Sequence, residues 1–423
     1  MNKKKHILIL GGGLTGLSTA KSLSKEYKVT ILEKKSYLGG LAASFKKGEY
    51  QIPFFYHHII KHNSTTIKYL NEYGLLKNAE WKKIKVVIAS DGDLCDISNP
   101  LDLLKFNAVS LWGRFRFGLF GLYMLFLANP DNIADDQDAR SWLMKVGGKE
   151  VTNTIFNHLY ARNKFNIDLT KISAKQLAWR LKEREAFDPF TYPEKGLHIL
   201  VDNLEKDIVK NEGIIVKGSN VKKVILDKKI VITDKKEYKP DIVINTIPIP
   251  EFLKVASRIS IKYKRKLKRI KYCPAACVIF GTKKFLNKKY YWINVLDERV
   301  HTIFQHSILC GKYPWKVNWV LRYGGSEQDL NLSDKKIEKE YLGVVKKYFP
   351  KSDIVWTKVL KTKYGEPVYD KDYSSYKPDY STPIKDFYNA GIQVTFPKIR
   401  NMNSALESGE KVAKIVFNDF KVS

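Results

Sequence analysis

The sequence predicts an α/β fold in which one domain is assembled from separated stretches of chain and a second, α+β domain is inserted between them. Three observations predict it. A strand, a glycine turn, a helix and a second strand open the chain within residues 6–33. Strand-and-turn patterns return at 195–250 and 385–420. The two long stretches between carry other periodicities, the first mostly helical and the second mostly strand-like. With 423 residues and 44% hydrophobic content, the chain is long and apolar enough for two to three domains.

His6–Leu10 is a short apolar, β-branched run, as expected of a strand buried on both faces. Gly11-Gly-Gly-Leu-Thr-Gly16 follows at once and fits G-x-G-x-x-G. Gly11 allows the tight turn, Gly13 allows a pyrophosphate to approach the backbone, and Gly16 allows the helix to pack on the sheet. Leu17, Ala20 and Leu23 then recur at helical spacing, and 29–32 reads as the second parallel strand. The helix N-terminus offers free N–H groups to phosphates. Glu33 lies 17 residues after Gly16, where a carboxylate accepts hydrogen bonds from an adenosine ribose. The unit predicts an adenine dinucleotide and, because two anions repel, disfavours a 2′-phosphate. NAD and FAD both remain open at this point.

After the acid comes Lys34-Lys-Ser-Tyr-Leu-Gly39-Gly40-Leu41, a second glycine pair that a nicotinamide dehydrogenase has no need of. Here the chain resembles the flavoprotein superfamily of amine oxidases, protoporphyrinogen oxidases, phytoene desaturases and UDP-galactopyranose mutases. Three further segments extend the resemblance. Tyr192-Pro-Glu-Lys-Gly196 is similar to the family's P-x-G-G turn, with Lys195 in place of the first glycine. Val221-Lys-Lys-Val-Ile resembles the strand that meets the adenine, and 239–248 resembles the D-x-V-I-x-(A/T)-x-P strand. Last, Phe387-Tyr-Asn-Ala-Gly391 and Asn401-Met402, opening an apolar helix to Phe417, resemble the C-terminal FAD element. There the helix N-terminus points at the flavin pyrimidine ring, where negative charge develops on reduction.

The resemblance implies FAD, with Gly11, Gly13, Leu14, Thr15, Gly16, Glu33, Lys34, Gly39, Gly40, Leu41, Val221, Gly391, Asn401 and Met402 around it. It also implies a discontinuous, Rossmann-like (GR2-type) FAD domain from 1–50, 195–255 and 385–423. The insertions 51–194 and 256–384 are then expected to form the substrate domain. In the first, 65–76, 101–107, 111–128, 139–145 and 149–160 read as helices. In the second, 277–280, 290–295 and 318–321 read as strands, and 334–348 as a helix that Ser333 caps.

Catalytic residues are not identified; five positions are weak candidates for the substrate cavity. His57 and His58, in a cluster with His62, occupy the stretch after the glycine pair that passes the flavin in the family. Cavity lining, a structural role and metal binding are all open there, although no third and fourth metal ligands accompany them, so no metal is expected. Arg162 and Lys164 end a helix, where they would complement its dipole or bind an anionic substrate. Arg400 directly precedes the final helix, where a cation could steady a reduced flavin or a substrate phosphate.

The charge is +30, from 74 Lys and Arg against 44 Asp and Glu. Only 12 of the 74 are arginine, and Arg rather than Lys makes bidentate contacts to bases and phosphates. Most of the excess therefore reads as surface composition, and no nucleic-acid partner is expected. The four cysteines form no CxxC pair and no secretory segment opens the chain, so a cytoplasmic setting is expected. The charge-free run 117–130 is shorter than the ~20 residues needed to span a bilayer. The apolar stretch 111–128 reads either as a core helix or as an interfacial one resting on the inner face of the membrane.

The chain thus reads as an FAD-dependent oxidoreductase, similar to amine oxidases and protoporphyrinogen oxidases, that moves a hydride from a substrate C–H to flavin N5. Its substrate is a small molecule, with an anionic or lipid-linked one open. Two alternatives stand beside this: a mutase-like, non-redox flavoenzyme of glycan biosynthesis, and a non-catalytic lipid-binding relative, which would not need the intact glycines.

Overall fold

The computed structural model describes residues 4–97, 100–183, 188–296, 298–324 and 327–420. Its first layer is a five-stranded parallel sheet in the order Ile214–Val216, Lys28–Leu32, His6–Leu10, Ile242–Asn245, Phe387–Asn389. The central strands are apolar on both faces because both faces are covered, as parallel sheets require. The helices Leu14–Leu23, His198–Lys210 and Met402–Phe420 pack against one another over one face. On the other side sits a small four-stranded sheet that includes Val221–Ile225 and Ile230–Thr233.

The second layer is a seven-stranded mixed sheet in the order Ile354–Pro367, Tyr272–Thr282, Lys316–Tyr323, Thr302–Gln305, Tyr290–Val295, Lys85–Ser90, Asp93–Asp96. Its last two strands come from the first insertion, which the sequence reading takes as helix-rich. The reason is local: Val86, Val87 and Ile88 are β-branched and buried, and their strand pairs in parallel with Tyr290–Val295. The two insertions therefore share one sheet.

Most expected helices form. Asp334–Tyr348 has the expected bounds, and Ser333 Oγ accepts from Lys336 N at its start. The 65–76 expectation shortens to Ser64–Glu72, and 101–107 to Pro100–Leu103. The expectation at 111–128 resolves into Leu111–Leu122 followed by a wider winding over Tyr123–Leu127. Likewise, Lys149–Val151 continues as a wide-wound stretch, Thr152–Phe165. Such i→i+5 windings are rare and cluster at functional sites, and both of these flank the same cavity.

Candidate functional site

The cradle at the head of the first helix is built from close backbone contacts. A Cβ on Gly16 would lie 2.0 Å from the Gly11 carbonyl oxygen, so only glycine lets the helix start so near the strand. Gly39 N donates to Gly12 O at 2.8 Å, and Gly13 and Gly39 form a parallel bridge. Gly39 and Gly40 reach this position with φ of +97° and +59°, a region that side chains rarely adopt. Between Gly13 and Gly40 the surface is open: a Cβ on Gly13 would meet only the Gly40 Cα, at 4.0 Å. The helix has no side-chain cap, so its first N–H groups face that opening.

Glu33 is fixed beside it. Its Oε2 accepts from Gly12 N and its Oε1 from Lys35 N, both at 2.7 Å. Each oxygen keeps a lone pair for a ribose hydroxyl. Ser219 N donates to Glu33 O, and Gly218 N to Lys35 O, which docks the strand beginning at Val221 against this segment. Lys34 is exposed and Leu14 is buried in the core. These features fit the adenosine and pyrophosphate of a dinucleotide: an open groove that a Cβ would fill, bare N–H groups, and a carboxylate held by backbone.

The far end of the chain completes the cradle. Thr15 Oγ1 donates to Ala405 O at 2.9 Å, and Ser18 Oγ to Leu406 O at 3.1 Å. A Cβ on Gly409 would sit 2.0 Å from Ser18 Oγ, so the two helices cross at a glycine. Gly391 N donates to Ser408 Oγ at 2.8 Å. Asn401 caps the final helix, its Oδ1 accepting from Ser404 N at 2.8 Å, with Met402 beside it.

A cavity of about 560 Å³ begins where these elements end. Arg400, Asn401 and Met402 line it on the cradle side, with His57 and Tyr56. Its far walls are aliphatic and aromatic, including Phe117, Leu122, Leu125, Ile155 and Phe156. Cavities of this size and character bind small molecules.

At the inner end lies a buried ionic cluster. Glu366, 1% exposed, forms ion pairs with Arg180 and with Lys164 Nζ at 3.4 Å, and Arg400 Nε is 4.0 Å away. Burial alone would raise the Glu366 carboxyl, but Arg180, Lys164 and Arg400 overcome it and bring the pKa down to about 2. Arg400 Nη2 donates to Tyr323 OH at 2.9 Å, and Tyr323 OH in turn to Tyr56 OH at 3.1 Å. Arg400 Nε is buried without a hydrogen-bond partner among the described residues. His301 lines the same cavity, and burial followed by the Lys164 and Arg180 charges keeps it neutral.

The three histidines do not converge. His57 Nε2 lies 3.1 Å from Leu41 O, and since a carbonyl only accepts, this nitrogen carries the proton. Burial outweighs that bond and lowers His57 to about 4. His58 Nδ1 lies 3.3 Å from Tyr291 OH, and His62 Nδ1 pairs with Asp188 at 2.7 Å. Among the described residues no group of three or more His, Cys, Asp or Glu could hold a metal ion.

Of the three cations singled out in the sequence, Lys164 and Arg400 meet at the cavity and Arg162 does not. Two positions apart on a helix point to nearly opposite sides. Arg162 is exposed, with Nη1 2.9 Å from His158 Nε2, in a separate polar cleft with Arg299 and Arg322. Glu366, Arg180, Tyr323 and His301 carry no sequence motif; only the fold brings them together.

A sequence model described as flavin containing amine oxidoreductase matches residues 14–417. The 15-cis-phytoene desaturase of Solanum lycopersicum is 24% identical over 467 aligned positions, which cover 99% of this chain and 79% of that protein. Among solved structures, a putrescine oxidase bound to putrescine superposes with a TM-score of 0.78 at 13% identity, covering 98% of this chain and 99% of the other. A reduced UDP-galactopyranose mutase also superposes at 0.78 and 13% identity, covering 99% and 96%. At these identities the structural likeness speaks for the fold.

Proposed function

Because the chain belongs to the flavin-containing amine oxidoreductases and binds FAD, we propose that it is an oxidoreductase removing hydride from a C–H bond of a largely apolar substrate with one anionic or polar end. The observation that carries this reading is the cavity itself: apolar along its length, and bounded by Arg400 where it meets the cradle. When bound, FAD supplies the acceptor for the hydride, at N5.

The chain's residues divide the remaining work. Gly11, Gly13, Gly16, Gly39 and Gly40, with Glu33, would hold the adenosine and pyrophosphate. Gly391 and the final helix from Asn401 and Met402 would face the flavin end, where the helix N-terminus favours developing negative charge. Arg400, buried and raised above its ordinary pKa by Tyr323, Glu366 and Tyr56 against the cost of burial, stays charged at every working pH. Its guanidinium, part of the cavity wall, would give a carboxylate or phosphate a cationic partner at that end. His57, neutral and tethered to Leu41, sets that wall without adding charge. The apolar walls exclude water from the reacting carbon and suit an aliphatic or isoprenoid body better than a nucleotide sugar.

An anaerobic titration tests this. Isoprenoid, acyl or amine compounds with an anionic or polar head should bleach the flavin absorbance of the holoprotein. A flavin that none of them reduces, but whose spectrum shifts with UDP-sugars, would overturn the reading in favour of mutase chemistry.

A further inference from the structure

The helix Leu111–Leu122 and the turn that follows it are apolar on two sides. Gly113, Phe120 and Met124 are buried, and Phe117 and Gly121 line the cavity. On the other side, Leu111, Phe115, Leu119, Leu122 and Phe126 follow one another at spacings of four, four, three and four, a continuous stripe. Each is between 45% and 75% exposed. Trp112, also exposed, stacks on Phe115 with ring centroids 5.4 Å apart. Apolar surface so concentrated marks an interaction site.

We propose that this stripe docks the protein onto an anionic lipid bilayer, lying flat in its interface. Two observations select a bilayer. The first is charge: residues 100–127 carry Lys105, Arg114 and Arg116 against the single acid Asp102, on a chain whose net charge is +30. Of the acids that follow, Asp135 pairs with Lys175, and Asp138 caps the next helix through Ser141 N. Asp131 and Asp136 stay exposed beyond the stripe. Cations beside an apolar helix face are what an anionic leaflet attracts. The second is continuity: Leu122 belongs both to the exposed stripe and to the cavity wall, so the apolar surface and the apolar interior are joined. A molecule dissolved in the leaflet could pass to the cavity without crossing water. No helix among the described residues is long and apolar enough to cross a membrane, so the contact lies on one leaflet.

The test is cosedimentation of the full-length holoprotein with vesicles, a readout that needs no turnover and so stands apart from the redox reading. The protein should pellet with phosphatidylcholine vesicles containing phosphatidylglycerol, less with phosphatidylcholine alone, and less in high salt. The variant Leu111→Gln/Phe115→Gln/Leu119→Gln/Phe126→Gln, keeping its flavin absorbance, should bind at least about tenfold more weakly. If that variant loses flavin, Leu111→Gln/Phe126→Gln, at the two ends of the stripe, should still weaken binding about threefold. Wild-type protein that stays in the supernatant with anionic vesicles overturns the proposal, as do variants that bind like wild type. A dimer by sedimentation velocity that the substitutions dissolve, without vesicle binding, would instead assign the stripe to a second copy of the chain.

Discussion

Thr15 and Ala405 stand 390 positions apart, yet the Thr15 hydroxyl donates to the Ala405 carbonyl at 2.9 Å. That bond, with its neighbour from Ser18 to Leu406, fastens the helix that follows the glycine turn to the final helix of the chain. One helix–helix contact thus sets the two relative to each other.

Gly409 is the point of closest approach. Gly409→Ala should cost about 1–3 kcal/mol in chemical denaturation, since its Cβ would fall 2.0 Å from Ser18 Oγ and 2.5 Å from Thr15 O. Adding Ser18→Ala removes the first clash only, so the double variant should recover part of the loss. Full additivity of the two substitutions would show that the crossing is looser than described.

Gly13→Val separates binding from folding. Gly13 has φ −75° and ψ 176°, extended backbone that valine adopts readily, and its Cβ meets only Gly40 Cα at 4.0 Å. The variant should fold but purify without flavin. Gly16→Ala, whose Cβ would strike the Gly11 carbonyl, should instead fail to accumulate as soluble protein. An intact flavin spectrum in Gly13→Val would contradict the assignment of the cradle.

Glu366→Gln leaves Arg180, Lys164 and Arg400 facing one another without the carboxylate that holds them. Breaking a buried ion pair from one side costs about 3–5 kcal/mol. Thermal unfolding should show that loss at neutral pH. Because the wild-type carboxyl sits at about 2 rather than its ordinary 4.5, its contribution is complete above pH 4.5 and fades as pH falls towards 2. The gap between variant and wild type should therefore close on acidification.

The buried histidines set a second pH dependence. Burial lowers His57 to about 4, and burial followed by His57 lowers His306 to about 3. Unfolded histidine takes up a proton near pH 6.5 and the folded rings do not, so stability is complete above 6.5 and declines as pH falls below it. Each histidine contributes up to about 1.4 kcal/mol per pH unit across its window. His306→Phe, in the ring cage of Tyr192 and Trp319, should flatten that slope between pH 6 and 4. A slope unchanged in the variant would mean that His306 is protonated in the folded protein.

The cradle was legible in the sequence because its parts are close in the chain: the glycine spacing, Glu33 and the second glycine pair all lie within residues 11–40. The ionic cluster was not, because Lys164, Arg180, Glu366 and Arg400 come from four separate elements and no spacing links them. Arg162 shows the limit from the other side. A basic pair two residues apart reads as one patch in sequence, whereas a helix sends its members to opposite faces. The hairpin of Lys85–Ser90 and Asp93–Asp96 closes locally over Asp91 and Gly92, but its place at the edge of a seven-stranded sheet depends on Tyr290–Val295, two hundred residues away, and no spacing shows that.

The five-stranded sheet that carries the cradle draws His6–Leu10 together with Ile242–Asn245 and Phe387–Asn389. On a ribosome that order becomes a matter of time. The glycine turn emerges first, yet its sheet is incomplete until the strand at 387–389 is released, and its helix has no cross-partner until Ala405 and Leu406 follow. Contacts so distant in sequence form late and slowly. Flavin capture should therefore wait for the segment 387–406, and the coenzyme's presence in a molecule certifies that synthesis and folding have run from the glycine turn through that segment.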